Sequence, residues 1–278
     1  MLQNLLSWFR FRLYCNLAFL RPANFILEGS IKADLFSFIS FDKNSIIRLG
    51  NGFCLKKSII RVTESEITIG KNAQITDARL LFSKSKIQTG DSFKVKGAMV
   101  SMNNGTLFTA GNYLMICKED YHKAGFFANN TKVQLGENVN SRAHISCSDS
   151  VFTIGNNVFL NQGTQIRCHQ SVQFGSNILV SYECIIFDTN THAADPENRY
   201  QEMKDGFPNQ AIQTEATKAK VITAPVVIGN NAWIGIRAII LKGTELGDAV
   251  IVGAAAVVSG KKVPHGKIVY GNPAIIKE

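Results

Sequence analysis

The chain has 278 residues, a length that one elongated domain can hold, and its 45% hydrophobic and 18% charged content supplies a large core while excluding a disordered or coiled-coil chain. The net charge of +9 divides into +5 over residues 1–65, +3 over 66–150, −2 over 151–224 and +3 over 225–278; with no dense basic stripe interleaved with aromatics, nucleic acid is excluded as a partner, and an anionic surface or a phosphorylated small molecule fits better. The six cysteines, at 15, 54, 117, 147, 168 and 184, never take C-x-x-C spacing, which argues against a zinc knuckle or redox pair and suits a reducing cytosol.

The first predicted element is a helix. Leu2, Leu6, Phe9, Leu13, Leu17 and Leu20 repeat at helical spacing, and Pro22 ends the run. Arg10 and Arg12 lie inside the apolar stretch, so it is neither an uncharged span of membrane length nor a signal peptide with its charge in front. Two placements follow for residues 1–21. The helix packs on the main body, or it lies in a lipid interface with Arg10, Arg12 and Arg21 near headgroups. Residues 1–29 are therefore set apart from a main domain over 30–278.

That domain is marked by repetition. An apolar or short residue precedes Gly50, Gly70, Gly90, Gly111, Gly136, Gly155 and Gly175, at spacings of 19 to 25 residues. The period becomes strict in the last third. Ile228, Ile234, Ile240, Leu246, Val252 and Val258 recur every six residues, and Ala232, Ala238, Thr244, Val250 and Ala256 follow four later. Ile154, Leu160 and Ile166 keep the same step, as do Phe174, Val180 and Ile186. A helix repeats near 3.6 and a plain strand near 2. A period of six fits a chain that runs straight, turns a corner and closes a coil in three sides, with 18 residues per coil and about two more upstream. The aliphatic residue points into a triangular interior and the short one fills a corner. A sandwich with evenly spaced turns is the alternative, and the unbroken hexads of 228–258 count against it. Two segments interrupt the rhythm and are read as inserted loops, near 112–130 and 189–224.

The hexads, the polar loop with its His, and the run PVVIGNNAWIG…VGAAAVV…VYGNPA resemble the hexapeptide-repeat acyltransferases, and within them the sugar, capsule and O-antigen polysaccharide O-acetyltransferases. The resemblance covers residues 135–277 well and 30–134 weakly. It implies an all-β, left-handed parallel β-helix, acetyl-CoA as co-substrate, no metal, and a homotrimer with active sites between neighbouring copies. The acceptor it suggests is a sugar hydroxyl of a cell-surface polysaccharide or its lipid-linked precursor, placing the enzyme in the cytoplasm, at the inner membrane face. An N-acetyltransferase acting on a nucleotide-linked amino sugar and a noncatalytic β-helix scaffold are the competing readings.

Acetyl transfer to a hydroxyl needs a base, a held thioester and donors for the developing oxyanion. Five histidines are available: His122, His144, His169, His192 and His265. His192, in FDTNTHAAD at the start of the second loop, stands where the family has its catalytic base. Asp188, four residues earlier, either orients that imidazole, contacts the acceptor, or caps a turn. Asn161 matches an acceptor-side Asn of the galactoside enzymes. Trp233 ends a hexad, so the pattern exposes it, either beside the site or against a second copy. The resemblance gives the backbone N–H of Ile236 the thioester oxygen, and lines the CoA path with Gly235, Gly253 and Ala254. Lys261, Lys262 and Lys277 are candidates for the CoA phosphates. His122, in the first loop, is a candidate to reach acceptor or donor.

Overall fold

A computed structural model describes residues 2–33, 37–56, 59–76, 79–96, 99–117, 125–206 and 218–277. His122 lies outside the described residues.

The chain winds into a parallel β-helix with three faces. Among the described residues sheet A has 11 strands, sheet B 12 and sheet C 10, each strand bonded to its counterpart one coil away. All pairings are parallel except the last, where Ile275–Lys277 folds back antiparallel on Ile268–Tyr270. The hexad residues behave as the period requires. Ile228, Ile234, Ile240, Leu246, Val252 and Val258 are buried, and so are Ala232, Ala238, Thr244, Val250 and Ala256 at the corners.

The glycine series forms a column at the corner between sheets A and B. A Cβ on Gly50 would lie 2.6 Å from the Gly70 carbonyl carbon, and one on Gly229 2.5 Å from that of Gly247. Only glycine allows coils to approach so closely. Polar residues after several of these glycines lock the stack: Asn156 Oδ1 accepts from Glu137 N at 2.8 Å, and Asn230 Oδ1 from Ser176 N at 2.9 Å. Two residues past the glycine the backbone turns left-handed, at φ 55–60° for Asn138, Asn157, Asn177 and Asn231, a conformation Asn tolerates. Their side-chain amides chain from coil to coil at 2.9, 3.0 and 3.2 Å.

The upstream coils are larger because of one corner. Ile154, Leu160 and Ile166 step by six, and Phe174, the sheet A residue in register with Ile154, comes eight after Ile166. The two extra residues sit between sheets C and A. There a buried hydroxyl column, Ser45, Ser65, Ser85, Thr106, Thr131 and Ser150, lines the inside. The wider interior takes phenyl rings: Phe108, Phe126, Phe152 and Phe174 follow one another at centroid distances of 5.6, 5.7 and 6.2 Å.

The helix α1, Leu2–Asn16, covers the first coil. Phe11 is fully buried, and Tyr14 joins Phe25 and Phe41 in an aromatic cluster. Strand pairing begins at Phe25–Leu27, against Ile47–Leu49, so the coil starts five residues ahead of residue 30. The first loop is also shorter than its sequence suggests. Met115–Cys117 and Gly125–Asn129 are regular strands of sheets B and C, and the residues between them, 118–124, are not described. The second loop is partly helical. Asp195 accepts from Asn198 N at 2.9 Å, capping α2, Pro196–Gly206.

Candidate functional site

The second loop leaves the coil at the corner between sheets C and A. Its base is tied by the Thr189–Thr223 bridge and by Asn190 N donating to the Ile222 carbonyl at 3.0 Å. His192 follows. Its ring is 53% exposed, and Nδ1 lies 2.9 Å from Oε2 of Glu202. Glu202 projects inward from α2 and is buried, its other oxygen accepting from Ala193 N at 3.0 Å. Arg199, one turn earlier on α2, donates to the carbonyls of Ala193 and Ala194. The helix thus fixes both the His192 backbone environment and its ring. With a proton on Nδ1 shared with the carboxylate, the Nε2 lone pair is left free for an incoming hydroxyl.

Asp188 does not orient that ring. It is fully buried and receives backbone N–H groups from His169 (2.8 and 3.0 Å), Gln170 (2.7 Å) and Ser171 (2.8 Å). Of the three roles open to it in the sequence, capping the turn is the one the geometry fills. Its carboxylate serves three amides inside the corner, and the carboxylate bonded to the imidazole is that of Glu202. The ring is held by Glu202, ten residues downstream, which sequence reasoning missed. The available signal was the Asp195-Pro196 helix start, which sets Arg199 and Glu202 three apart on one face.

The remaining candidates fall at another edge. Trp233 is 52% exposed on the outside of sheet B, in register with Leu179 on one side and Ile251 on the other. Gly235, Ile236, Gly253 and Ala254 stack in successive coils at the corner between sheets B and C, where a Cβ on Gly235 would lie 2.7 Å from the Ala254 nitrogen. The Ile236 carbonyl accepts from Ala255 N, and its own N–H meets no acceptor among the described residues. Asn161 stands at the same corner one coil below the Ser181–Tyr182 turn. Its Oδ1 accepts from Gln162 N at 2.8 Å, which shapes the turn. Lys262 pairs with Glu245 at 3.0 Å on sheet A, and Lys277 lies exposed on the terminal hairpin. Lys261 is half-buried beside Lys262.

His192 and the 233–236 and 253–254 group are therefore rooted at different edges of the same chain. The face between them, sheet C, spans six residues from Tyr182 to Asp188, roughly 20 Å of extended chain.

The other histidines are placed apart. His144 packs on Phe127 with centroids 5.3 Å apart, on sheet C. His265 is exposed in the last turn. His169 is half-buried, and its loss of solvent pulls its pKa below the usual imidazole value. With Asp149, Lys218 and Thr223 it lines a cleft of about 370 Å³ under the returning arm of the second loop. Among the described residues no group of His, Cys, Asp and Glu is arranged to hold a metal ion.

Residues 225–260 match the family model for the bacterial transferase hexapeptide, six repeats. Residues 225–260 carry the hexapeptide repeat within the β-helix, and the chain's resemblance to the hexapeptide-repeat acyltransferases stands on that match and on its relatives. Among curated proteins it is similar to WbbJ of Escherichia coli (strain K12), whose name assigns it provisionally to O-acetyl transfer in lipopolysaccharide biosynthesis. The two are 27% identical over 157 residues, which is 55% of this chain and 75% of WbbJ. It is 29% identical over 126 residues to the galactoside O-acetyltransferase of Escherichia coli (strain K12), covering 45% of this chain and 53%, about half, of that enzyme. Among solved structures, the polySia-specific acetyltransferase NeuO aligns over 92% of this chain and 87% of its own, at 14% identity and a TM-score of 0.39. The curated relatives are acetyltransferases by name, which supports an acyltransferase.

Proposed function

We propose that this protein transfers an acetyl group from acetyl-CoA to a sugar hydroxyl of a cell-surface polysaccharide or its lipid-linked precursor. The observation that carries the reading is the His192–Glu202 pair. It is a half-exposed imidazole at the mouth of a loop, backed at 2.9 Å by a buried carboxylate, in a chain whose relatives are acetyltransferases. Nε2 of His192 takes the acceptor proton as the hydroxyl oxygen attacks the acetyl carbonyl carbon. Glu202 holds the ring and offsets the positive charge that forms on it, as a carboxylate does in a triad. The Ile236 N–H donates to the developing oxyanion. The C–S bond then breaks, and the leaving thiolate takes the proton back from His192.

The site is completed by a second copy of the chain. The separation of the two halves supports this, and so does the outer surface of sheet B, where Leu179, Trp233 and Ile268 stay exposed in one column. A flat apolar column on a solenoid face suits packing against a neighbour. A homotrimer closes such contacts. Gly235, Gly253 and Ala254 then flank the pantetheine arm, and Lys261, Lys262 and Lys277 are the cations proposed for the CoA phosphates.

The test is release of free thiol from acetyl-CoA with a panel of purified glycans, followed by mild alkali on the product. Thiol release that depends on a glycan, with the mass increment removed by alkali, supports ester formation. An alkali-stable increment reassigns the acceptor to an amino sugar. No thiol release with any acceptor, together with no thermal shift on adding CoA, leaves the scaffold reading.

A further inference from the structure

The cap helix buries one face and leaves a second apolar face bare. Phe11, Tyr14 and Cys15 turn toward the first coil, and Ser7 reaches Ser40 at 3.3 Å. On the opposite side Leu5, Leu6 and Phe9 are 61%, 51% and 57% exposed. The turn that follows adds Leu17, Phe19 and Leu20, with Phe19 at 83% the most exposed large apolar side chain described. A helix that is apolar on both sides is ordinarily enclosed, and this one is enclosed on one side only.

The charge beside that face has one sign. Residues 1–27 contain Arg10, Arg12 and Arg21 and no Asp or Glu. Arg10 is exposed at the edge of the bare face, while Arg12 is tied to the Ala33 carbonyl and Arg21 to the Tyr14 carbonyl. A second copy docking here through the same face would bring Arg10 against Arg10 with no carboxylate from either segment to answer it. An anionic lipid surface answers both features, taking the apolar side chains below its headgroups and pairing the exposed Arg10 guanidinium at their level. No described helix is long and apolar enough to cross a membrane. At 15 residues, α1 is about 22 Å long and suits an arrangement in the plane of the interface.

We infer that the face formed by Leu5, Leu6, Phe9, Phe19 and Leu20 is a membrane-surface docking site, selective for anionic lipid, that seats the N-terminal end of the coil on the bilayer. The inference is independent of the acetyl-transfer reading.

The full chain is sedimented with vesicles of phosphatidylcholine alone and of phosphatidylcholine with phosphatidylglycerol, at low and high salt. The expected result is at least about tenfold more bound protein on the anionic vesicles, reduced by salt. Binding should also fall at least about tenfold in Phe9→Ser/Phe19→Ser with the melting temperature unchanged. Leu5→Ser/Leu6→Ser is the second pair, and it must show the same loss, so that a folding defect in one pair does not decide the matter. Wild-type protein that stays in the supernatant with anionic vesicles overturns the inference. So do variants of unchanged melting temperature that bind as wild type. So does a wild-type assembly that light scattering finds dissociated by either pair while vesicle binding is absent, since the face would then be covered by a second copy.

Discussion

The coils before residue 190 and those after 225 follow one three-sheet plan with different contents. The earlier coils run mostly to 20 residues and enclose Phe108, Phe126, Phe152 and Phe174 beside a buried hydroxyl column. The later ones run to 18 and enclose only aliphatic residues, alanine and Thr244; no Phe occurs after residue 225. Two residues at one corner account for the change. They widen the triangle enough for a ring, and the Ser or Thr that follows is buried there. The chemistry divides along the same line. Apart from Asn161 and His122, the candidates proposed for acetyl-CoA or the acceptor belong to the second loop or to the narrow coils, with the wide coils as a plinth beneath them.

That division predicts separable effects. The largest is His192→Ala, which should lower turnover by about 10²–10⁴-fold with the melting temperature unchanged, measured by thiol release and thermal unfolding on one preparation. Next is Phe152→Ala, in the wide region. It should cost about 3–5 kcal/mol in denaturant unfolding while its turnover per folded molecule stays at the wild-type level. Glu202→Gln comes third. It keeps the shape of the helix face and loses the charge behind the ring, and should reduce kcat by about 100-fold with KM for acetyl-CoA little changed. Asp188→Asn should instead act on stability, because three backbone amides lose their shared carboxylate. The smallest effect is Ile240→Val in the narrow region, about 0.5–1.5 kcal/mol. If Phe152→Ala changed KM, or if Glu202→Gln lowered only the melting temperature, the boundary between plinth and site would have to be redrawn.

How much of this could be read from the sequence follows from how local the causes are. The six-residue period and the glycine series come from contacts repeated in every coil, so they print themselves on the chain. Ile228 to Val258 and the corner residues Ala232 to Ala256 were legible for that reason. The hydroxyl column was present at Ser65, Ser85, Thr106 and Thr131 but obscured, because a buried Ser looks like an ordinary turn residue until its corner is known. His192 drew attention through its position after the strand Ile185–Phe187 and through the resemblance. Its partner did not, because Glu202 reaches the ring from a helix ten residues on, in a segment with no hexads. Asp188 drew attention by its nearness in sequence, yet its carboxylate points into the corner.

The account rests most heavily on a site completed by two copies. Co-expression of His192→Ala chains with Ala254→Trp chains, under two affinity tags, isolates mixed assemblies in which neither chain has both halves intact. In a closed ring of three that contains both chains, about one site in three has a wild-type half from each neighbour. The predicted result is recovery of about a third of the wild-type thiol-release rate, from parents that are each nearly inactive. Mixed assemblies no more active than the parents would contradict it, placing the imidazole and the thioester path within a single chain.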